Sequence, residues 1–389
     1  MSVRKRKWTT NGGETKEAWV VDYTDQLGER HLETFKRKKD AEARHAQVAV
    51  DVRAGIHTAN SQSVTVTEAG ELWLKSREAA EVERTTLDSY RSHLNLHITP
   101  LIGATKLAAL TAPFVRSFED RLREERSPAM VRKILASLSS ILSDAQDRGL
   151  VAQNVAHQRR SRNKKGAGNG RQKRLLKVGV DIPTLKEIRT IVAKLGGTGR
   201  HRPFLLTAIF TGLRASELRG LRWSDVDLAK GELHVRQRAD RYHQIGAPKS
   251  ATSQRCVPLL PMVTNALREW RLACPPSESG LVFPGGQGRP IMLETIIDTI
   301  WHPAQLAAGV VIKKGTPKYS GLHALRHFYA SWCINRKADG GLELPIKVVQ
   351  GRLGHSSIQI TADRYGHLFL RQDDGAELVA AERAFMAAT

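Results

Sequence analysis

Apolar and polar residues alternate through residues 17–36, EAWVVDYTDQLGERHLETFK. The alternation runs on both sides of Asp25–Glu29 and predicts a hairpin with Gly28 in its turn. Residues 36–55 change to helical spacing and predict a helix that ends at Gly55. From 63 to 156 the pattern is helical throughout. Residues 65–78 set Ala69, Leu72 and Trp73 on one face, with Thr67 as the expected N-cap. Residues 83–103 predict a second helix broken at Pro100 and Gly103. Two more amphipathic helices follow at 112–125 and 127–150, the latter opened by Pro128 and closed by Gly149. A compact bundle of four or five helices fits this run.

The C-terminal half mixes periods. Helical spacing covers 185–195 and 202–221, strand-like alternation covers 231–237 and 253–260, and helices return at 322–337 and 345–355, the last stopping at Gly354. Residues 374–388 read as a final amphipathic helix. The expected fold class is mainly α: a helical domain at 63–156 and a mixed α+β domain at 181–389, preceded by a small sheet-plus-helix module at 1–60.

Charge changes the picture from fold to partner. The 389 residues carry a formal net charge of +22 and a pI near 10.2. Such a balance calls for a polyanion, nucleic acid before an acidic membrane surface. No apolar run approaches the roughly 20 residues that span a bilayer. The basic start MSVRKRKWTT has no apolar segment behind it, so no signal peptide is expected. Cys256, Cys274 and Cys333 are odd in number and widely spaced, which fits a reducing cytosol and neither a disulfide framework nor a zinc pair. Residues 157–180 hold nine Lys or Arg and three glycines between Gly166 and Gly170, which reads as a flexible basic linker along a phosphate backbone or as a solubilising stretch. Lys36, Arg37, Lys38 and Lys39 likewise read as phosphate contacts or as a solvated face.

Four segments carry the candidate chemistry. TGLRASEL (211–218) contains Arg214, and APKSATSQRCVPL (247–259) contains Lys249 in the turn of a hairpin. HALRH (323–327) sets His323 and Arg326 at i and i+3 on one helix face, with His327 a turn beyond His323. LGHSSIQITADRYGH (353–367) places His355 just past a helix end and Tyr365 ten residues on. Singly, each has a plainer reading. Arg214 pairs with Glu217, Lys249 is solvated, His323 is a satisfied core histidine, His355 answers a helix dipole, and Tyr365 is half-buried with a wet hydroxyl.

Together and in this order, TGLRASEL, HALRH, LGHSS and the Thr361-to-Tyr365 spacing of TADRY resemble the tyrosine recombinases, the phage-type integrases and their relatives. The motifs cover the last two hundred or so residues. The helical region matches by size and pattern, and residues 1–60 resemble an arm-site-binding module of a three-stranded sheet and a helix. The resemblance implies a site-specific DNA recombinase that needs no metal, ATP or other cofactor. It implies Tyr365 as nucleophile, since a phenol with pKa near 10 gives a phosphotyrosine reactive enough to be resealed. It assigns Arg214 and Arg326 to the charge on the phosphate oxygens. His323 and His355 are implied as donors to the same oxygens, His323 also as an acceptor of the tyrosine proton, and Lys249 as general acid. His327 is expected to support the catalytic groups from behind or to be structural. The implied partners are double-stranded attachment-site DNA and three further copies of the chain on that DNA, with a DNA-bending or excision protein beside them and no membrane. The setting is the bacterial cytoplasm at the nucleoid. The final helix is expected to pack either on its own domain or on a neighbouring copy. Residues 335–345 are longer than in compact members of the family and carry no functional reading. A chromosome-dimer resolvase of the same family, a type IB topoisomerase and a non-catalytic DNA-binding protein are the competing readings.

Overall fold

The computed structural model describes residues 1–9, 14–24, 28–53, 63–156, 175–197, 199–248, 251–313, 315–369 and 375–387. Gly55, the basic stretch from Arg159 to Arg174, and Lys249 lie outside them. The chain divides into two compact units, Met1–Arg171 and Gln172–Thr389.

In the first unit, β1 (Ser2–Thr9), β2 (Thr15–Thr24) and β3 (Arg30–Phe35) form an antiparallel sheet in that order, followed by the helix Lys38–Arg53. Its small core is Val21 and Tyr23 from β2 with Ala41 and Val48 from the helix. Strand β1, SVRKRKWT, is almost wholly exposed and basic. Hydrophobic alternation does not mark it, because backbone pairing to β2 holds it in place.

A separate core gathers Trp73, Leu94, Ile98, Phe118, Ile134, Leu138 and Ile141 from the helices that follow. The helix Val66–Ala79 is capped by Thr65, not by Thr67: Thr65 and Glu68 close a reciprocal capping box. Thr67 therefore sits inside the first turn. The next helix also departs from expectation. It runs from Arg84–His93 through a π turn at Leu94–Ile98 into Thr99–Ile102, so Pro100 does not break it. The widened turn just ahead takes up the ring and the missing N–H of proline. Ser127 caps Pro128–Asp147, and Gly149 leaves it at φ 73°.

The second unit builds on Phe204, Leu205 and Ile209 of the helix His201–Thr211, packed with Leu233, Val257, Phe283 and Trp301. Strands β4 (Val226–Asp227), β5 (Glu232–Val235) and β8 (Arg255–Pro258) form one antiparallel sheet, while β6 (Arg238–Ala239) pairs with β7 (Ile245–Gly246). The helix His323–Ile334 buries Leu325, Phe328 and Tyr329. Residues 335–345 fold back on its end through Leu342 N–H to Trp332 O, Glu343 N–H to Asn335 O and Leu344 N–H to Cys333 O. They border a cleft of about 670 Å³ shared with Gly366, Leu368 and Phe369. The last described helix, Gly375–Ala387, exposes Val379 and Phe385, the latter 75% accessible. No helix of the described residues is long and apolar enough to cross a membrane.

Candidate active site

Two glycines build the framework. Gly212 ends the helix His201–Thr211 at φ 63°, and a Cβ there would meet the Tyr329 ring at 2.3 Å. Gly354 ends Ile346–Leu353 at φ 62°, where a Cβ would meet the Arg255 guanidinium at 2.8 Å. Both positions need the left-handed backbone and the missing side chain. Their carbonyls then hold the two arginines. Gly212 O accepts from Arg326 at 2.6 Å, and Gly354 O accepts from Arg214 at 3.2 Å.

Arg326 is 2% exposed, and its second terminal nitrogen donates to Leu353 O at 2.5 Å. Burial, then the like charge of Arg214, pull its pKa down to about 9, which leaves it cationic at neutral pH. Arg214 stands at the N-cap of Ala215–Arg219 and donates to Glu217 from both its backbone and its guanidinium, each at 2.8 Å. Glu217 is buried and also accepts two bonds from Arg255, at 3.1 and 2.8 Å. Burial alone would raise the Glu217 carboxyl, but the Arg255 bonds and charge, helped by Arg214, outweigh it and hold the carboxyl at about 2. The plain reading of Arg214 as a partner of Glu217 is thus correct as far as it goes. The pairing fixes the guanidinium and, together with the bond to Gly354 O, uses only two of its five N–H donors.

These groups open on a cavity of about 310 Å³ lined by Arg214, Arg238, Arg326 and Arg364 with one carboxylate, Glu217. His323 and His355 line it too. His355 follows Gly354 directly, and its Nδ1 pairs with Thr361 Oγ1 at 2.9 Å, which leaves Nε2 for another partner. So concentrated a positive field in a walled recess fits a small, multiply oxygenated anion such as a phosphodiester.

Tyr365 is the last residue of Ile358–Tyr365 and is fully buried. It does not line the cavity. His355 stacks parallel to its ring, centroids 6.3 Å apart, and its hydroxyl meets His327 Nδ1 at 2.7 Å. Burial pushes the phenol up to about 12, against the opposing charge of Arg326. The structure therefore brings Arg214, His323, Arg326, His355 and Tyr365 to one place, while Lys249 is outside the described residues between the cavity-lining Pro248 and Ser253. The sequence reading passed over Arg255, Arg364 and the contact of His327. The spacing of His327, four residues after His323, was the available signal. Among the described residues a trio with donor atoms within 4.8 Å of one another, Glu232, His234 and Cys256, also has the makings of a metal site, on β5 and β8. It shares no residue with the arginine cavity. The three cysteines are free.

The histidines give a pH prediction. Burial, first, and the neighbouring charges lower His323 to about 4 and His327 and His355 to about 3. In the unfolded chain each takes its proton near 6.5. Below that pH the unfolded state binds more protons, so stability falls as pH drops from about 6.5 to about 4. Glu217 adds a second loss: its depressed carboxyl contributes above 4.5 and ceases to do so as pH falls toward 2. Thermal unfolding of the full chain should show a midpoint that declines steadily from pH 7 to pH 4. A flat profile would contradict the buried, neutral histidines.

The phage integrase family matches residues 183–371, all within the second unit. A tyrosine recombinase XerC-like protein of Caldanaerobacter subterraneus subsp. tengcongensis is 27% identical over 96% of this chain and 97% of its own length. Among solved structures, the Tn1549 transposon integrase in complex with a circular intermediate DNA superposes with a TM-score of 0.64 at 17% identity, covering 82% of this chain and 100% of that one. A lambda integrase tetramer bound to a Holliday junction gives 0.56 at 16% identity, covering 90% and 95%. The relative matches over nearly its whole length, the solved structures share the fold, and the family motifs fall on the walls of the arginine cavity. Residues 183–371 are a phage integrase family domain, and over nearly its whole length the chain is similar to a tyrosine recombinase.

Proposed function

We propose that the chain is an integrase of a mobile element that cuts and rejoins DNA through a 3′-phosphotyrosine on Tyr365. The observation that carries this reading is the cavity where Arg214, His323, Arg326 and His355 converge beside a buried tyrosine. The scissile phosphate would sit among these groups. Arg214 and Arg326, each with spare N–H donors, would bind its non-bridging oxygens and stabilise the charge of the transition state. His355 Nε2 and His323 would add hydrogen bonds. As His323 takes the phenol proton, Tyr365 Oη attacks phosphorus, the P–O5′ bond breaks, and Lys249 gives a proton to the departing oxygen. The reverse attack by a 5′-hydroxyl of another strand restores a phosphodiester, so bond energy is conserved without a high-energy cofactor.

The sheet-plus-helix module favours the integrase reading over a chromosome-dimer resolvase. Its core of Val21, Tyr23, Ala41 and Val48 is separate from that of the helical bundle. Removing residues 1–60 should leave cleavage of an isolated core site within about twofold of the full chain, because the module holds none of the proposed catalytic groups. Integration between full attachment sites should fall severely. A folded truncated protein that cannot cleave a core-site suicide substrate would overturn the division of labour. We extend to this chain the four-protomer arrangement of the lambda integrase neighbour, with the exposed face of Gly375–Ala387 as a contact between copies. A nicked duplex carrying the DNA that flanks the gene is the substrate for a direct test. A covalent protein–DNA band supports the enzyme, and binding without that band supports a non-catalytic DNA-binding protein.

A further inference from the structure

The reaction needs Tyr365 in the arginine cavity, and the structure keeps it out. The tyrosine is fully buried, does not line the cavity, and sits among Tyr329, Ala330, Cys333, Val349 and Leu353. A buried hydroxyl must find a partner. The Tyr365 hydroxyl meets His327 Nδ1 at 2.7 Å, with the two rings edge to face and centroids 5.8 Å apart, and it also interacts with Arg364 of the cavity wall. His327 lies one helical turn beyond His323, whose ring it touches edge-on at 4.5 Å. One face of one helix therefore supplies both a wall of the phosphate cavity and the group that keeps the nucleophile away from it.

The geometry points to His327 as a positioning residue: its hydrogen bond to Tyr365 Oη holds the phenol in a resting place outside the arginine cavity, and exchange of that bond for the scissile phosphate is a step that precedes cleavage. This inference rests on the reading of Tyr365 as nucleophile. The local backbone suits such a swing. Tyr365 ends its helix at φ −126° and ψ −2°, away from helical values, and Gly366 follows it with open space where a Cβ would lie. Beyond that, His367 Nε2 is tied to Leu176 O at 2.8 Å, so motion is confined to the helix end.

The surroundings of His327 favour holding over proton removal. Burial, first, keeps the imidazole neutral, and the neighbouring His323, Arg364 and Arg326 add to this against the opposing charge of Asp181. A neutral imidazole so reluctant to take a proton is a poor base for a phenol that burial has pushed up, but a good hydrogen-bond partner for its hydroxyl. The resting bond also gives specificity a physical form. Only DNA that brings a phosphate and its supporting contacts offers the hydroxyl a better partner than His327.

The test follows nitration of Tyr365 by tetranitromethane in the full chain, mapped by mass spectrometry. In the wild-type chain Tyr365 should resist. In His327→Phe its nitration should rise about tenfold or more, the population change that loss of one such bond allows. In His327→Asn, whose amide can reach the place of Nδ1, nitration should stay close to wild type. Tyr329, buried on the same helix and outside the bond, should remain protected in all three chains. Equal nitration of Tyr365 in wild type and His327→Phe overturns the proposal, as does an Asn variant that reacts like the Phe variant. If Tyr329 becomes reactive too, the Phe variant has lost its fold and a second measurement decides. The ¹⁵N resonance of His327 Nδ1 is compared between wild type and Tyr365→Phe, an isosteric change. A shifted resonance upholds the bond, and an unchanged one overturns it. Neither measurement uses DNA, so their failure leaves the role of Tyr365 in cleavage to be judged by its own covalent adduct.

Discussion

Replacing Tyr365 with Phe should abolish the covalent protein–DNA complex while the protein still binds its core site. The change removes one oxygen and keeps the ring between His355 and the apolar cluster around it. Ser216, Ser253 and Ser356 line the arginine cavity, but an aliphatic hydroxyl ionises far less readily than a phenol, so none is expected to substitute as nucleophile. The expected loss is of order ~10⁴-fold or more, down to the detection limit of a suicide-substrate assay. Folding should survive. The lost hydroxyl leaves His327 Nδ1 without its partner, a cost of roughly 1–3 kcal/mol. Adduct formation at the wild-type level in this variant would end the proposed mechanism.

The second large effect separates the two arginines. Arg214→Ala removes a side chain that is 36% exposed and shares Glu217 with Arg255, which makes two bonds to that carboxylate. Stability should change little, while cleavage falls about 10²–10³-fold through loss of transition-state charge stabilisation. Arg326→Ala removes a buried fork that satisfies the carbonyls of Gly212 and Leu353. It should lose cleavage by at least as much and also destabilise the chain by roughly 2–4 kcal/mol, because two acceptors and a cavity are left behind. DNA binding should weaken far less in both variants, because the many other basic residues of this +22 chain carry ground-state affinity. Suicide-substrate kinetics, salt-dependent binding and thermal unfolding on the same preparations distinguish these effects. Binding and cleavage that fall in parallel would make the arginines ordinary phosphate contacts.

Much of the site was legible in the sequence because its members sit at helix ends, where local signals are strong. Gly212 and Gly354 mark turns that only glycine makes, and Arg214 and His355 stand within two residues of them. His323 and Arg326 share a helix face at a spacing that can be counted. What could not be read depends on contacts between distant segments. Arg255 meets Glu217 across 38 residues, and Arg326 meets Gly212 across 114. The His327 bond spans 38 residues and joins two helices whose relative placement no local pattern encodes. The cap expected at Thr67 was misplaced for a different reason: Thr65 and Thr67 both precede the apolar run, and only Thr65 has Glu68 three residues on. The expectation of a break at Pro100 failed because a π turn is not written in hydrophobic spacing.

The central claim is that Tyr365 itself becomes joined to DNA. The direct measurement digests the covalent complex formed on a nicked duplex of gene-flanking DNA and identifies the linked peptide and the linked DNA end by mass spectrometry. The account predicts one modified peptide, carrying Tyr365 esterified to a 3′-phosphate, with a free 5′-hydroxyl on the released strand. Attachment through another residue, attachment to a 5′-phosphate, or strand cleavage with no protein–DNA bond at all would contradict it.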